Sequence, residues 1–452
     1  MTVKNSVITD NGEGVWIWSD LTLENCILWG NTRDYTINDG ELTIRYSVVE
    51  DGYAGEGNIS DDPHFIDPDH GDYRIRKISP CIDAGNPSDP VPPNGGDCID
   101  MGYWEYPHSA VLVPESVTFT ELTGDQDGDL ETGETIEMAV QVRNTGEPGA
   151  GIGCELTCTS SAVSIDISHA EYGTLGYDQT ATGCFRWRIT GDPGICTPVE
   201  FTCAWTGADA GSGEFPVGLS LGGSRVVSDA VNGDDLTGDG SAVYPFGTMD
   251  HGVRHVRGTR WYPVTVHAQP GDYREDTNGE RFPIMLGSYE TLEGSGYEQT
   301  RVEHNQDVNS LIQGDVESNI QDLGLLSDAE EIYGLIKFIG GSGRISGCHI
   351  KYIVHDDYYL GIQLSAECDM VIEDNVIEAN LNSPFRMRAD LLVRNNTIAE
   401  AELYMGHFIG NHVGPGFLEA RSLEGQPPTR VEKNVFVDSG VSGNNYFEII
   451  DN

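Results

Sequence analysis

Val3-Lys4-Asn5-Ser6-Val7-Ile8 is followed by Leu23-Glu24-Asn25-Cys26-Ile27-Leu28 and then by Ile44-Arg45-Tyr46-Ser47-Val48-Val49, a period near 20 residues. Each unit is a short alternating strand ending in a turn signal such as Asp10-Asn11-Gly12 or Asn38-Asp39-Gly40. One unit cannot bury its own apolar face, but stacked units can, with Val7, Ile27 and Val48 in one column. The expected fold is a right-handed parallel β-helix.

The signature returns in Ile345-Ser346-Gly347-Cys348-His349-Ile350, in Val371 to Ile377, in Val393 to Ile398 and in Val431 to Phe436. Ile377 and Ile398 are expected to stack. Asn375, Asn396 and Asn434 share one phase, and stacked Asn side chains satisfy the backbone at a sharp bend and hydrogen-bond each other. Helical periodicity is nearly absent. Val308 to Ile332, with Leu311, Ile312, Ile320, Leu323 and Leu326, reads as a short helix or long loop, and Gly406 to Thr429 as an excursion on one face.

Between these regions the rhythm changes. From Val111 to about Leu221, alternating runs such as Ile136 to Val142 and Cys154 to Cys158 recur every 10 to 15 residues with Gly and Asp between them. That spacing predicts an immunoglobulin-like β-sandwich. Five of the ten Cys lie between Cys154 and Cys203, which suits one or two disulfides in an exported module, and Cys81 and Cys98 flank a Pro-rich loop across which they can pair. No CxxC or zinc spacing occurs.

The 452 residues carry a formal net charge of -48 and only five Lys. Such a surface repels nucleic acid and anionic membranes, and no apolar run reaches the ~18 residues of a membrane helix. It suits an extracellular or cell-surface protein that binds divalent cations. Met1 is followed at once by a strand-like run, and Tyr446 to Asn452 stops inside another. The chain therefore reads as a fragment whose export signal lay upstream.

Three stretches resemble known families. Asp62-Pro63-His64-Phe65-Ile66-Asp67, Gly71-Asp72-Tyr73-Arg74-Ile75 and Ser79-Pro80-Cys81-Ile82-Asp83-Ala84-Gly85 are similar to the closing segment of bacterial β-helix surface proteins. That segment usually ends Asp-Ile-Gly-Ala-Tyr-Glu, whereas this chain has Asp100-Met101-Gly102-Tyr103-Trp104-Glu105. Thr237 to Ser241, Tyr244 to Thr248, Val264 to Val266 and Gly271 to Glu275 resemble the opening of pectate-lyase-like β-helices, which implies a new, capped β-helix beginning near residue 232. Asp235 and Asp239 beside that cap read as turn residues. Gly133-Glu134 and Val142-Arg143-Asn144-Thr145-Gly146 resemble immunoglobulin-like modules found beside secreted bacterial peptidases and adhesins.

The expected architecture is all-β. Residues 1–58 are the last coils of a first β-helix, 59–108 its closing segment, 109–222 the sandwich, and 223–452 a second β-helix, capped over 232–300 and cut short at the chain end.

The best candidate site is Asp125-Gln126-Asp127-Gly128-Asp129-Leu130-Glu131-Thr132-Gly133-Glu134. Carboxylates of Asp125, Asp127, Asp129, Glu131 and Glu134 in a Gly-bearing loop can converge on Ca²⁺, in a structural role. The loop is no EF-hand, since Leu130 holds the place of the invariant Gly. Trp16 and Trp18, two apart opposite Ile17, are expected to point outward, where paired aromatics suit sugar rings. Ile17 and Ile37 are expected on the core face. Asp356 and Asp357 are adjacent and would face opposite ways in a strand, Arg344 has no flanking acid pair, and Glu373 and Asp374 read as solvent-facing charges of a repeat. No catalytic set is assigned. The expected role is binding or adhesion toward extracellular polysaccharide or a cell-surface glycan. The rivals are a polysaccharide lyase or glycoside hydrolase acting in the second β-helix, and a passive stalk.

Overall fold

The computed structural model describes residues 1–452 except 93–94, 209, 305–307, 328–333, 339–340, 353–359, 365–367, 383–390, 405–406, 414–415, 422–428, 437–438, 444–446 and 451–452. The chain is all-β, and α1 (Met249–His255) is the only α-helix among the described residues.

The first coils stack in parallel: Thr2–Lys4 pairs with Leu21–Glu24, which pairs with Leu42–Arg45, and Val7–Thr9 pairs with Ile27–Trp29, which pairs with Val48–Val49. Asn5, Asn25 and Tyr46 form the corner between the two sheets, each in left-handed backbone with φ near 50°. The corner recurs in the later coils at Asp322, Gly347, Asp374, Asn395, Gly410 and Lys433, with φ from 55° to 67°. Asn, Asp and Gly adopt this conformation at least cost; Tyr46 and Lys433 are held in it by the coils around them.

The residue after each corner turns inward. In the later coils this position forms a ladder. Cys348 N–H donates to Asn375 Oδ1 at 2.9 Å, Asn375 N–H to Asn396 at 2.9 Å, Asn396 N–H to Asn411 at 2.9 Å, and Asn411 N–H to Asn434 at 2.8 Å. Each Asn amide also donates to a carbonyl one coil back, as Asn396 Nδ2 does to Ile372 O at 2.8 Å. Asn411 corrects the expected excursion. His407–Ile409, His412–Val413 and Gly416–Arg421 are strands of a further coil, only 15 residues after Asn396. The short helix or long loop expected over Val308 to Ile332 is likewise, over its described residues, three sides of a coil, Ile312–Gly314, Ser318–Gln321 and Gly324–Ser327, with Leu311, Ile312, Ile320 and Leu323 buried.

Val7, Ile27 and Val48 stack as expected, and so do Ile377 and Ile398. The two columns, however, face opposite ways. The inner column of the first coils is Ile8, Leu28 and Val49 with Leu23 and Ile44. Val7, Ile27 and Val48 face outward and are covered by Phe65, Ile75, Cys81 and Met101 of the segment that follows. Asp100 is buried there and accepts the N–H of Asp83 at 2.7 Å and of Tyr106 at 2.6 Å, and burial pushes its carboxyl up to about 6. Ile37 pairs with Ile17 but is 49% exposed, because this face holds only two strands and nothing lies over Ile37.

Residues 112–221 form two four-stranded antiparallel sheets. One is built from Leu112–Thr123, Thr135–Asn144, Thr180–Ile189 and Val163–Ile167, the other from His169–Leu175, Gly149–Cys158, Thr197–Gly207 and Gly211–Leu221. Strict alternation buries Ile136, Met138, Val140 and Val142, and Trp187 meets Phe201 of the other sheet at 5.0 Å between ring centroids. The nine cysteines whose side chains are described are free. Cys98 does not pair with Cys81; its thiol donates to Gly85 O at 3.2 Å, while Cys81 sits in the apolar cluster.

A second stack runs from Arg225–Ser228 to Phe447–Ile450 as a ten-stranded parallel sheet with a larger sheet beside it. α1 closes its first coil, burying Met249 and Val253 in the common core. Thr248 caps α1 by accepting the N–H of His251, and buried Glu280 accepts those of Met249 and Asp250, both at 2.9 Å. Asp235 accepts the N–H of Gly247 and Thr248 and Asp239 that of Ser241, so both act as turn residues.

Asn396→Ala takes the acceptor from the Asn375 N–H and a donor from the Ile372 and Arg394 carbonyls. It should destabilise the second β-helix by roughly 2–4 kcal/mol, read by denaturant titration, with amide exchange at Asn375 accelerated. Thr397→Val, at the neighbouring outward position, should shift neither.

Candidate functional site

The acidic loop joins two neighbouring strands of the first sandwich sheet, Leu112–Thr123 and Thr135–Asn144. Its backbone turns sharply: Gln126, Gly128 and Gly133 have φ of 64°, 96° and 95°. Oxygens of Glu121, Asp125 and Asp127 lie within 4.8 Å of one another. Glu121 is held in place because its carboxylate accepts the N–H of Gln126 at 2.7 Å and of Gly128 at 2.8 Å. Asp127 accepts the N–H of Asp129 at 2.9 Å.

The expected set thus divides. Asp125 and Asp127 converge. Asp129 turns away and accepts Ser224 N–H at 3.0 Å and Ser224 Oγ at 2.9 Å, tying the loop to the entry of the second β-helix. Glu134 is buried and accepts the N–H of Glu131 at 2.7 Å, which braces the loop. Glu131 itself is exposed. Glu121, which the sequence reading passed over, lies in the preceding strand; its alternation toward the loop was the available signal.

Burial, with Asp127, Asp125 and Asp129 adding to it, pushes the Glu131 carboxyl above the usual range. Burial also raises Glu134, against the hydrogen bond from Glu131, and the charge of Glu121 adds to the rise. Three converging carboxylates could offer oxygens to a hard divalent cation, which takes six to eight of them when it is Ca²⁺.

Trp16 and Trp18 are 63% and 68% exposed, while Ile17 between them is 1% exposed. Trp16 registers with Thr36 of the next coil, and Arg33 and Thr36 both bond Glu13 beside it. Two exposed indoles thus flank buried Ile17 at the end of a short strand, with polar groups beside Trp16.

In the second β-helix, Glu373 is buried and pairs with Arg344 and Arg394, correcting the expectation of a solvent-facing Glu373, while Arg344, read as lacking a flanking acid pair, meets this one acid across the coils. Glu24 lies the same way between Lys4 and Arg45. These are cross-coil ion pairs that tie neighbouring coils together. Residues 355–357, weighed above for catalysis, lie outside the described residues.

Residues 231–447, just under half of the chain, match the model of a family described as a protein of unknown function, DUF1565. The match covers the cap and nearly all coils of the second β-helix. No curated protein matches the chain.

A carboxyl whose pKa is raised in the fold stabilises the fold fully below its unfolded value of about 4.3 and loses that contribution as pH climbs through the folded value. In chelator, wild-type Tm should therefore fall between about pH 4 and neutrality more steeply than that of Glu131→Gln. Parallel curves from differential scanning calorimetry would contradict the crowding.

Proposed function

We propose that the protein is an extracellular or cell-surface binding protein whose β-helix presents a ridged face to polysaccharide or a cell-surface glycan, with calcium stiffening its middle module. The observation that carries this is the outward Trp16/Trp18 pair, each more than half exposed on either side of buried Ile17. A sugar ring stacks its C–H face on an indole, and the flanking Glu13, Arg33 and Thr36 offer hydrogen bonds to its hydroxyls. The net charge of -48 supports a role away from nucleic acid and anionic lipid. We further assign the two-sheet module to the immunoglobulin-like class, on its alternation and the Trp187–Phe201 contact, and the second β-helix to the pectate-lyase-like class, on the motifs around its cap.

Glu121, Asp125 and Asp127 would hold the calcium ion, with water completing its shell. The ion's work there is electrostatic: it neutralises crowded carboxylates beside the Asp129–Ser224 tie and so rigidifies the joint with the second β-helix.

Retention on a panel of insoluble neutral and acidic polysaccharides tests the binding role. Trp16→Ala with Trp18→Ala should reduce retention about tenfold with Tm unchanged; retention on none of the panel, or equal retention of the double variant, overturns it. Release of reducing or unsaturated sugar would make the protein an enzyme instead. For the metal, Ca²⁺ at 100 times its Kd should stabilise the wild type by about 2.7 kcal/mol and Asp127→Ala hardly at all; a midpoint indifferent to chelator removes calcium from the account.

A further inference from the structure

A second binding site lies where the segment closing the first β-helix meets the sandwich. A cavity of about 430 Å³ opens there, walled by Ile66, Ile75, Trp104, Tyr106, Pro107 and Tyr177. Its size is that of a small-molecule site, and its lining is aromatic and apolar yet reachable by solvent. The walls are fixed from behind. Trp104 and Tyr106 meet edge to face at 5.9 Å, Ile75 belongs to the buried cluster over Ile27 and Val48, and the Tyr106 hydroxyl donates to Glu147 across the joint. Lys77 reaches Glu147 from the same side at 2.5 Å. Burial tends to raise the Glu147 carboxyl, but Lys77 and Tyr106 outweigh it and hold the group below its usual range. The brace therefore stays ionised and spans both modules.

The charged groups on the lining are Arg76, Lys77 and Glu147, with the two cations adjacent in sequence. Two adjacent cations are uncommon in a chain with 73 acidic and 25 basic residues. Arg76 donates to the Ile66 carbonyl and has no carboxylate partner among the described residues. Tyr177, 56% exposed, forms the opposite lip.

We infer that this cavity binds a sugar acid, a six-membered ring whose C–H face stacks on the aromatic walls and whose carboxylate meets Arg76. The chemistry selects for an acid because Lys77 offsets Glu147 on the lining, which leaves Arg76 as the uncompensated cation beside aromatic and apolar walls. A free hexuronate and the terminal residue of an acidic chain share this chemistry. The inference does not depend on the Trp16/Trp18 face.

Isothermal titration of the full chain with glucuronate, galacturonate, a triuronate, glucose and benzoate tests it. At least one uronate should bind saturably and about tenfold tighter than glucose, and Arg76→Gln and Tyr177→Ala should each weaken it about tenfold with Tm kept. A triuronate that binds better than the monomer identifies a chain end as the ligand, and equal binding identifies the free acid. No heat from any uronate, tighter binding of benzoate, or affinity untouched by both variants overturns the inference. Trp16→Ala with Trp18→Ala should leave these titrations unchanged, so the two sites succeed or fail separately.

Discussion

The structure depends on a bend that L-amino acids resist. Each coil turns from one sheet to the next through a single left-handed residue, and the residue after it must point into the stack. That inward residue brings a backbone amide into an apolar interior, where an unsatisfied N–H costs several times what a made hydrogen bond contributes. The Asn ladder answers this by letting each side chain satisfy the amide of the coil before it. Four successive Asn residues, Asn375 to Asn434, form a polar line through the aliphatic column. In the first coils Ser47 serves the amide of Cys26 and Asn58 that of Ser47. The position requires an acceptor of the right reach rather than one residue type.

Much of this was legible because period and phase are properties of sequence. The stacking of Val7 on Ile27 and of Ile377 on Ile398 follows from spacing alone. Direction was harder. In the pair after each corner one side chain faces in and the next faces out, and where both are aliphatic, as in Val7-Ile8 or Ile27-Leu28, sequence cannot rank them. The later coils resolve it: the outward positions there are His349, Val376, Thr397 and His412, a mixed, half-wet set. An all-apolar outer column therefore means that something covers it, and in the first coils the covering is the segment through Phe65, Ile75 and Met101. The coil at Asn411 was missed because its circuit is shorter than its neighbours'. Glu373 was misjudged because its arginine partners lie on neighbouring coils rather than nearby in sequence.

The acidic loop shows the same limit. Five carboxylates in ten residues look equivalent on paper, yet the backbone sorts them. Two face a shared centre, one holds the next module through Ser224, and one braces the turn from within. The third carboxylate of the cluster comes from the neighbouring strand. Joints recur as the places where this protein spends its polar groups: Asp129 on Ser224, Thr259 on Gly218 at 2.7 Å, and Glu147 between Tyr106 and Lys77.

The rail of charges outside the corner has a further consequence. Lys4, Glu24 and Arg45 lie in register on successive coils, and Glu373 sits between arginines of the coils on either side. In the first stack opposite signs meet across one strand spacing, the arrangement that avoids like charges face to face. Excision of the middle coil would lay Lys4 on Arg45, so that coil is held by charge as well as by packing. In the second stack the same register runs Glu293, Gln321, Ser346, Glu373, Arg394, Ile409 and Glu432, and its neutral members let a coil be lost or gained there without setting like charges together.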